Sequence, residues 1–113
     1  YRRQRQMCIR DRHAAMGLAE NLSIMFGNEG IKVSALCPQL VDTDMVRSFG
    51  KLPENHPLLK DGLLSADVVA EEAIQGINKE KFLILPHKEV AKYIQGKAFD
   101  YDAWIEAVRK LVP

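Results

Sequence analysis

The segment from Ile31 to Met45, IKVSALCPQLVDTDM, constrains the fold more than any other part of this chain. Ile31, Val33, Ala35 and Cys37 alternate with Lys32, Ser34 and Leu36, the period-two rhythm of a strand. Pro38 ends the pairing because it has no N–H to give, and a polar loop follows that closes on Thr43. Upstream, Ala15, Leu18, Ala19, Leu22, Met25 and Phe26 keep the i, i+3, i+4, i+7 spacing of one helix face, which predicts an amphipathic helix over residues 13–26. Gly27 and Gly30 are placed to end it, since glycine accepts the left-handed conformation of many helix C-termini. Helix, glycine turn, buried strand and proline loop, in that order, are a piece of an α/β sheet protein.

Downstream, residues 46–64 read as a long loop with short helical turns, punctuated by Gly50, Pro53, His56, Pro57 and Gly62. His56 in such a loop is read as exposed and inert. Ser65 is a plausible N-cap with Asp67 in the first turn of a helix whose buried stripe is Ala66, Val69, Ala70, Ala73 and Ile77, with Glu71 and Glu72 on its solvated face. A charged turn over 78–81 leads into Phe82-Leu83-Ile84-Leu85, a short strand halted by Pro86. His87 is expected to cap or hydrogen-bond locally; no second ligand stands at metal-site spacing, so no metal site is assigned. The tail predicts one helix through Tyr93, a break near Gly96, and a last helix with Tyr101, Trp104, Ile105, Val108 and Leu111 on one face.

Composition narrows the classes. Sixteen Lys+Arg against fifteen Asp+Glu give a net charge of +1, which supplies no general attraction to nucleic acid or membrane surfaces. An apolar content of 47% is that of a globular protein. No apolar run approaches a membrane span, and no signal peptide precedes the first helix. Two cysteines, Cys8 and Cys37, do not make a disulfide framework, and Cys37 reads as a small core residue. These features fit a reducing, cytoplasmic setting.

The order of these elements, with these residues, resembles the second half of the short-chain dehydrogenase/reductase family. The resemblance covers residues 13–113 and implies the fold class: α/β, the C-terminal fragment of a Rossmann-type parallel sheet with flanking helices and a helical C-terminal tail. In that family the loop leaving the sixth strand passes through a Pro-Gly pair and ends on a threonine, as Pro38, Gln39 and Thr43 nearly do here. The resemblance implies NAD or NADP as cofactor and Pro38, Gln39, Val41 and Thr43 as its cofactor-binding residues. The Val41 backbone would hydrogen-bond the nicotinamide carboxamide, whose donor and acceptor faces suit a peptide unit, and the Thr43 hydroxyl would meet the cofactor's amide or phosphate groups. Ligands of open parallel sheets gather beyond the carboxyl ends of strands, where this loop lies. Gln39 departs from the family glycine; a positive φ there would cost about 1 kcal/mol or more. Further implications are a small carbonyl or alcohol substrate covered by the 46–64 segment, and a homo-oligomer in which the 13–26 helix crosses a dimer axis. The apolar stripe of that helix is then either core or core plus subunit contact.

The first twelve residues, YRRQRQMCIRDR, carry five arginines and one acid and stand apart from the rest. As a nucleic-acid arm they make a weak footprint, with no aromatic interleaving. A solvated basic tail is one alternative; another is that MCIRDR resembles translated sequencing-adapter sequence joined to a truncated frame. Residues 1–12 are therefore expected to be a non-family segment, artefactual or disordered. Counting back from His13, the family's catalytic lysine position falls on Arg12 and its tyrosine position on Cys8. Four residues apart, a lysine ammonium can lower a tyrosine pKa for general acid–base work. Cys8 is too short and of the wrong chemistry for that role, and the planar fork of Arg12 does not replace an ammonium. Tyr1 lies seven residues out of register. No catalytic residue is assigned, and the chain carries no glycine-rich phosphate-binding turn. The expectation is a partial reductase, inactive by itself and poorly soluble because sheet edges and apolar faces are uncovered. The alternative is a non-enzymatic α/β module that binds a protein partner through an exposed helix face.

Overall fold

The computed structural model describes residues 2–48 and 62–111; of residues 2–10 and 111 it describes the backbone. The chain divides into two compact units, one of Tyr1–Leu36 with Ala73–Ile84, the other of Cys37–Glu72 with Leu85–Pro113.

In the first unit, helix α1 runs Arg2–Phe26. It starts well before His13 because no glycine or proline interrupts the Arg, Gln and Met run upstream, all good helix formers. A single 3-10 turn, Gly27–Glu29, ends it, and Gly30 takes the left-handed conformation at φ 85° while its N–H reaches the Gly27 carbonyl at 3.3 Å. The long alternation after Ile31 yields only a two-residue strand, β1 (Ala35–Leu36). Its partner is β4 (Leu83–Ile84), parallel, with Ala35 opposite Leu83 and Leu36 opposite Ile84. Pairing is short because a strand persists only along its partner, and β4 is hemmed in by a tight turn before it and Pro86 after it. Two bonds reinforce the pair: Ala35 N–H to the Phe82 carbonyl (2.6 Å) and the Ser34 hydroxyl to the Lys81 carbonyl (2.7 Å).

Helix α3 (Ala66–Asn78) ends in this unit with paired bonds from Glu80 N–H to Ile77 O (2.9 Å) and from Lys81 N–H to Gly76 O (3.0 Å). That is the Schellman arrangement, with Glu80 at φ 55° in the position glycine usually takes. Gly76 is buried against Ile84, itself 5% exposed. The stripe of α1 is not core within the chain: Leu18 is 62% and Met25 61% exposed. Two-residue strands offer too little surface to cover a helix face.

The second unit holds two strands that the sequence pattern does not reveal, β2 (Val41–Asp42) and β3 (Leu64–Ser65). They pair in parallel, Val41 opposite Leu64 and Asp42 opposite Ser65. A short helix, α2 (Asp44–Arg47), follows β2. The Ser65 hydroxyl accepts from Val68 N–H at 3.3 Å and so caps α3 as its sequence position predicts. In this first half of α3 only Val69 of the expected stripe is buried; Ala66 and Ala70 are exposed. Residues 49–61, including His56, lie outside the described residues.

Helix α4 (Val90–Phe99) continues straight through Gly96, and the break before α5 (Tyr101–Leu111) falls at Asp100 instead. Asp100 is extended, and its Oδ1 accepts from Ala103 N–H at 2.9 Å. A glycine inside a helix costs only about 1 kcal/mol, whereas a capping carboxylate actively starts a new one. Lys97 Nζ lies 4.4 Å from the Trp104 ring centre and 5.1 Å from that of Tyr101, joining the two helices. Trp104 and Val108 are half-buried, whereas Tyr101 and Ile105 are exposed.

Parallel pairs need crossover connections, so both pairs belong to α/β construction. The architecture is mixed α/β, dominated by helices, with two small parallel pairs. Among the described residues the buried apolar side chains are Val69, Ile84 and Val90, and the buried polar one is His87.

Candidate functional site

Residues 38–43 follow β1 and contain β2. Pro38 and Gln39 are exposed, while Val41 and Thr43 are half-buried. Glu80 alone among the described non-glycine residues has a positive φ, so Gln39 turns the chain without entering the left-handed region. The strain expected of a non-glycine residue at this position is not incurred.

The Gln39 N–H donates to His87 Nδ1 at 3.0 Å across 48 positions of sequence. His87 is 2% exposed. Its role is therefore long-range rather than the local one its sequence position suggests. Counting explains the meeting: Gln39 stands three residues past Leu36 and His87 three past Ile84, the residues that end the parallel register. Each strand is followed by a residue and then a proline, Cys37-Pro38 and Leu85-Pro86, so the next residue on each side falls level with the other. That repeated X-Pro punctuation is the signal from which the pairing could have been read.

Val41 presents its peptide groups away from β3. Leu64 N–H bonds to the Leu40 carbonyl at 3.4 Å, so Leu64 is bracketed by Leu40 and Asp42, and in a parallel ladder the residue between them projects its N–H and C=O to the opposite side. One donor and one acceptor, side by side, are the complement of a carboxamide.

Thr43 caps α2. With φ −131° and ψ 164° its backbone is extended, and its Oγ1 accepts from Val46 N–H at 3.4 Å. A hydroxyl that accepts one bond still carries a proton to donate. Arg47 holds this corner from the other side, 3.3 Å from Asp42 and 2.8 Å from Asp44. Both ion pairs are well exposed, so they contribute geometry more than stability. Arg47 leaves no signal in the sequence, because its partners become adjacent only once β2 turns into α2.

Cys37, immediately before the loop, is half-buried, and burial pushes its thiol pKa above the ordinary value. A protonated thiol is a poor nucleophile, in keeping with a packing role. No three His, Cys, Asp or Glu side chains among the described residues group to hold a metal ion. Nor is any described helix long and apolar enough to cross a membrane. Within this loop the Val41 peptide and the Thr43 hydroxyl place donor and acceptor groups two residues apart. Among the described residues the carboxylates nearest them, Asp42 and Asp44, are paired with Arg47, and His87 is buried.

The chain is similar to the mitochondrial borneol dehydrogenase of Lavandula x intermedia, with 30% identity over 79 residues. The match covers 70% of this chain but 30% of that protein, so the chain spans under a third of the relative's length. This supports a distant relationship to short-chain dehydrogenases. No family model matches the chain, and no solved structure matches it.

Proposed function

We propose that residues 13–113 are the C-terminal part of a short-chain, NAD(P)-dependent oxidoreductase, and that Pro38, Gln39, Val41 and Thr43 hold the nicotinamide end of its cofactor. The outward-facing Val41 peptide, two residues before the Thr43 hydroxyl, is the observation that carries this reading. Dehydrogenase similarity over most of the chain supports it independently.

When bound, the cofactor exchanges hydride with a small carbonyl or alcohol substrate. The residues of this chain bind and orient. Val41 N–H and C=O pair with the carboxamide and so fix which face of the ring meets the substrate. Thr43 donates its hydroxyl proton to an amide or phosphate oxygen while its lone pair stays on Val46 N–H. Pro38 opens the loop, and Gln39 fastens it to His87. Proton transfer falls to no residue here: Cys8 and Arg12 occupy the tyrosine and lysine positions, so the 113 residues by themselves do not turn over substrate. The complete enzyme is read as a cytoplasmic homo-oligomer, with the α1 stripe at a subunit contact.

The uncovered stripe also favours a second reading, a module that binds a protein partner through Leu18, Leu22 and Met25. A long sequencing read through the source DNA, across the codons for Arg12 and His13, separates the two. The oxidoreductase reading predicts a frame that runs upstream from His13 into a lysine, three intervening residues and a tyrosine, with a glycine-rich turn earlier. A confirmed Tyr1–Arg12 with its own start codon and no such turn contradicts it and leaves the binding module.

A further inference from the structure

We infer that His87 is a positioning residue for the 38–43 loop, setting its turn through a single bond from the Gln39 peptide to a bare Nδ1. This rests on the proposed reading of that loop as the nicotinamide site.

Four observations converge on it. First, His87 is the buried polar side chain of the described structure, and its Nδ1 accepts the Gln39 N–H at 3.0 Å. An accepting Nδ1 cannot also carry a proton, so in the neutral ring the proton is on Nε2. Second, Nε2 is buried and meets no acceptor among the described residues. Burying an unsatisfied donor is destabilising, and a fold that needed only volume here would hold a leucine or phenylalanine. What the imidazole supplies that those side chains cannot is the Nδ1 lone pair. Third, the backbone that carries the ring is held on both sides: Pro86 restricts the chain before it, and the His87 carbonyl accepts from Val90 N–H at 3.2 Å, with Val90 itself buried. Fourth, position 39 carries glutamine without a left-handed backbone, so the turn is fixed from outside rather than by a glycine's own conformational freedom.

The consequence runs along the loop. Gln39 lies two residues before Val41 and four before Thr43, so the Gln39–His87 bond sets where the chain enters β2. Its loss lets the entry swing, and the Val41 peptide and Thr43 hydroxyl lose their fixed positions.

The test uses the full 113-residue chain, labelled with 15N, at a pH where imidazole is neutral. Long-range 1H–15N correlation spectra of His87 should show Nε2 protonated and Nδ1 bare. The Gln39 amide should exchange slowly with solvent. His87→Phe should speed that exchange about tenfold, the factor a hydrogen bond of ordinary strength is worth. His87→Asn, whose Oδ1 takes the place of Nδ1 as acceptor, should restore protection; a role in packing alone would rank the bulkier phenylalanine above asparagine. Titration with nicotinamide mononucleotide should follow the same order, weaker in His87→Phe and restored in His87→Asn.

A proton on Nδ1 in the unmodified chain overturns the inference without recourse to any variant. So does Gln39 exchange that is the same in all three proteins, or slower with phenylalanine than with asparagine. Protection and rescue with no mononucleotide binding in the unmodified chain uphold His87 as the residue that sets the turn and overturn only the nicotinamide reading.

Discussion

Gly76 and Ile84 are in such close contact that a Cβ built on Gly76 would stand 2.5 Å from both Cγ1 and Cδ1 of Ile84 and 3.2 Å from Cγ2. Contact with three atoms of one side chain leaves no simple rotation by which Ile84 could yield. Gly76→Ala should therefore weaken the β1–β4 pair by about 1–3 kcal/mol of overpacking, set against a gain of roughly 1 kcal/mol in helix propensity. Gly96, inside α4 with nothing within 4 Å of its added Cβ, is the control. Gly96→Ala should stabilise α4 by about 1 kcal/mol. Amide exchange at Ile84 and within α4 measures the two; faster exchange at Ile84 only in the first variant is the expected pattern.

Glu80 stands at φ 55° where α3 turns into β4, and its Oε2 reaches Lys32 only at 3.9 Å across an exposed surface. That ion pair is worth little in water, while the left-handed backbone costs roughly 1 kcal/mol. Glu80→Gly should slow exchange of the Lys81 amide, the bond that closes the Schellman turn onto Gly76. Faster exchange would mean that the ion pair matters more than its geometry indicates.

Asp100 separates α4 from α5 through its bond to Ala103 N–H. Asp100→Ala should cost about 1 kcal/mol of helix capping and let the two helices run together. Trp104 reports on this, because its ring sits against Lys97 across the break. A shift in its fluorescence together with loss of protection at Ala103 is expected; an unchanged Ala103 amide would assign the break to some other cause.

Burial raises the Cys37 thiol pKa, so the folded chain holds that proton more tightly than the unfolded chain. The sign follows: the associated stability is intact below the ordinary thiol value and falls as pH climbs through it toward the folded value. Alkylation of Cys37, followed by peptide mass spectrometry across a pH series, should show a midpoint at higher pH in the native chain than in denaturant. A native midpoint at or below the denatured one would contradict the burial described for this residue.

Much of the element order could be read from local chemistry. Ser65 announces the start of α3, Pro38 and Pro86 stop their strands, and the Phe82–Leu85 run marks β4. Other features depend on partners distant in sequence and left no periodic trace. β2 and β3 are two residues each, too short for any alternation to register. The α1 stripe reads as core in sequence yet is exposed, since periodicity reports a face and not what covers it. Gly96 looks like a break, but a helix carries one glycine at modest cost and the true break is set by the Asp100 cap. Of the candidate site, Pro38 and Thr43 were legible as a strand exit and a loop end. The anchoring of Gln39 by His87 was not, because it requires knowing that β1 and β4 are adjacent and in register.

The most direct measurement is a titration of the full chain with nicotinamide mononucleotide, followed in 1H–15N spectra, with adenosine monophosphate as the comparison. Residues 38–43 as the nicotinamide end of the site predict saturable shifts at Val41 and Thr43, with a dissociation constant on the order of 1 mM for so few contacts. Adenosine monophosphate, which has a phosphate but no carboxamide, should leave the Val41 amide in place. Equal shifts at Val41 with the two nucleotides, or none at Val41 and Thr43 with nicotinamide mononucleotide, would contradict the account.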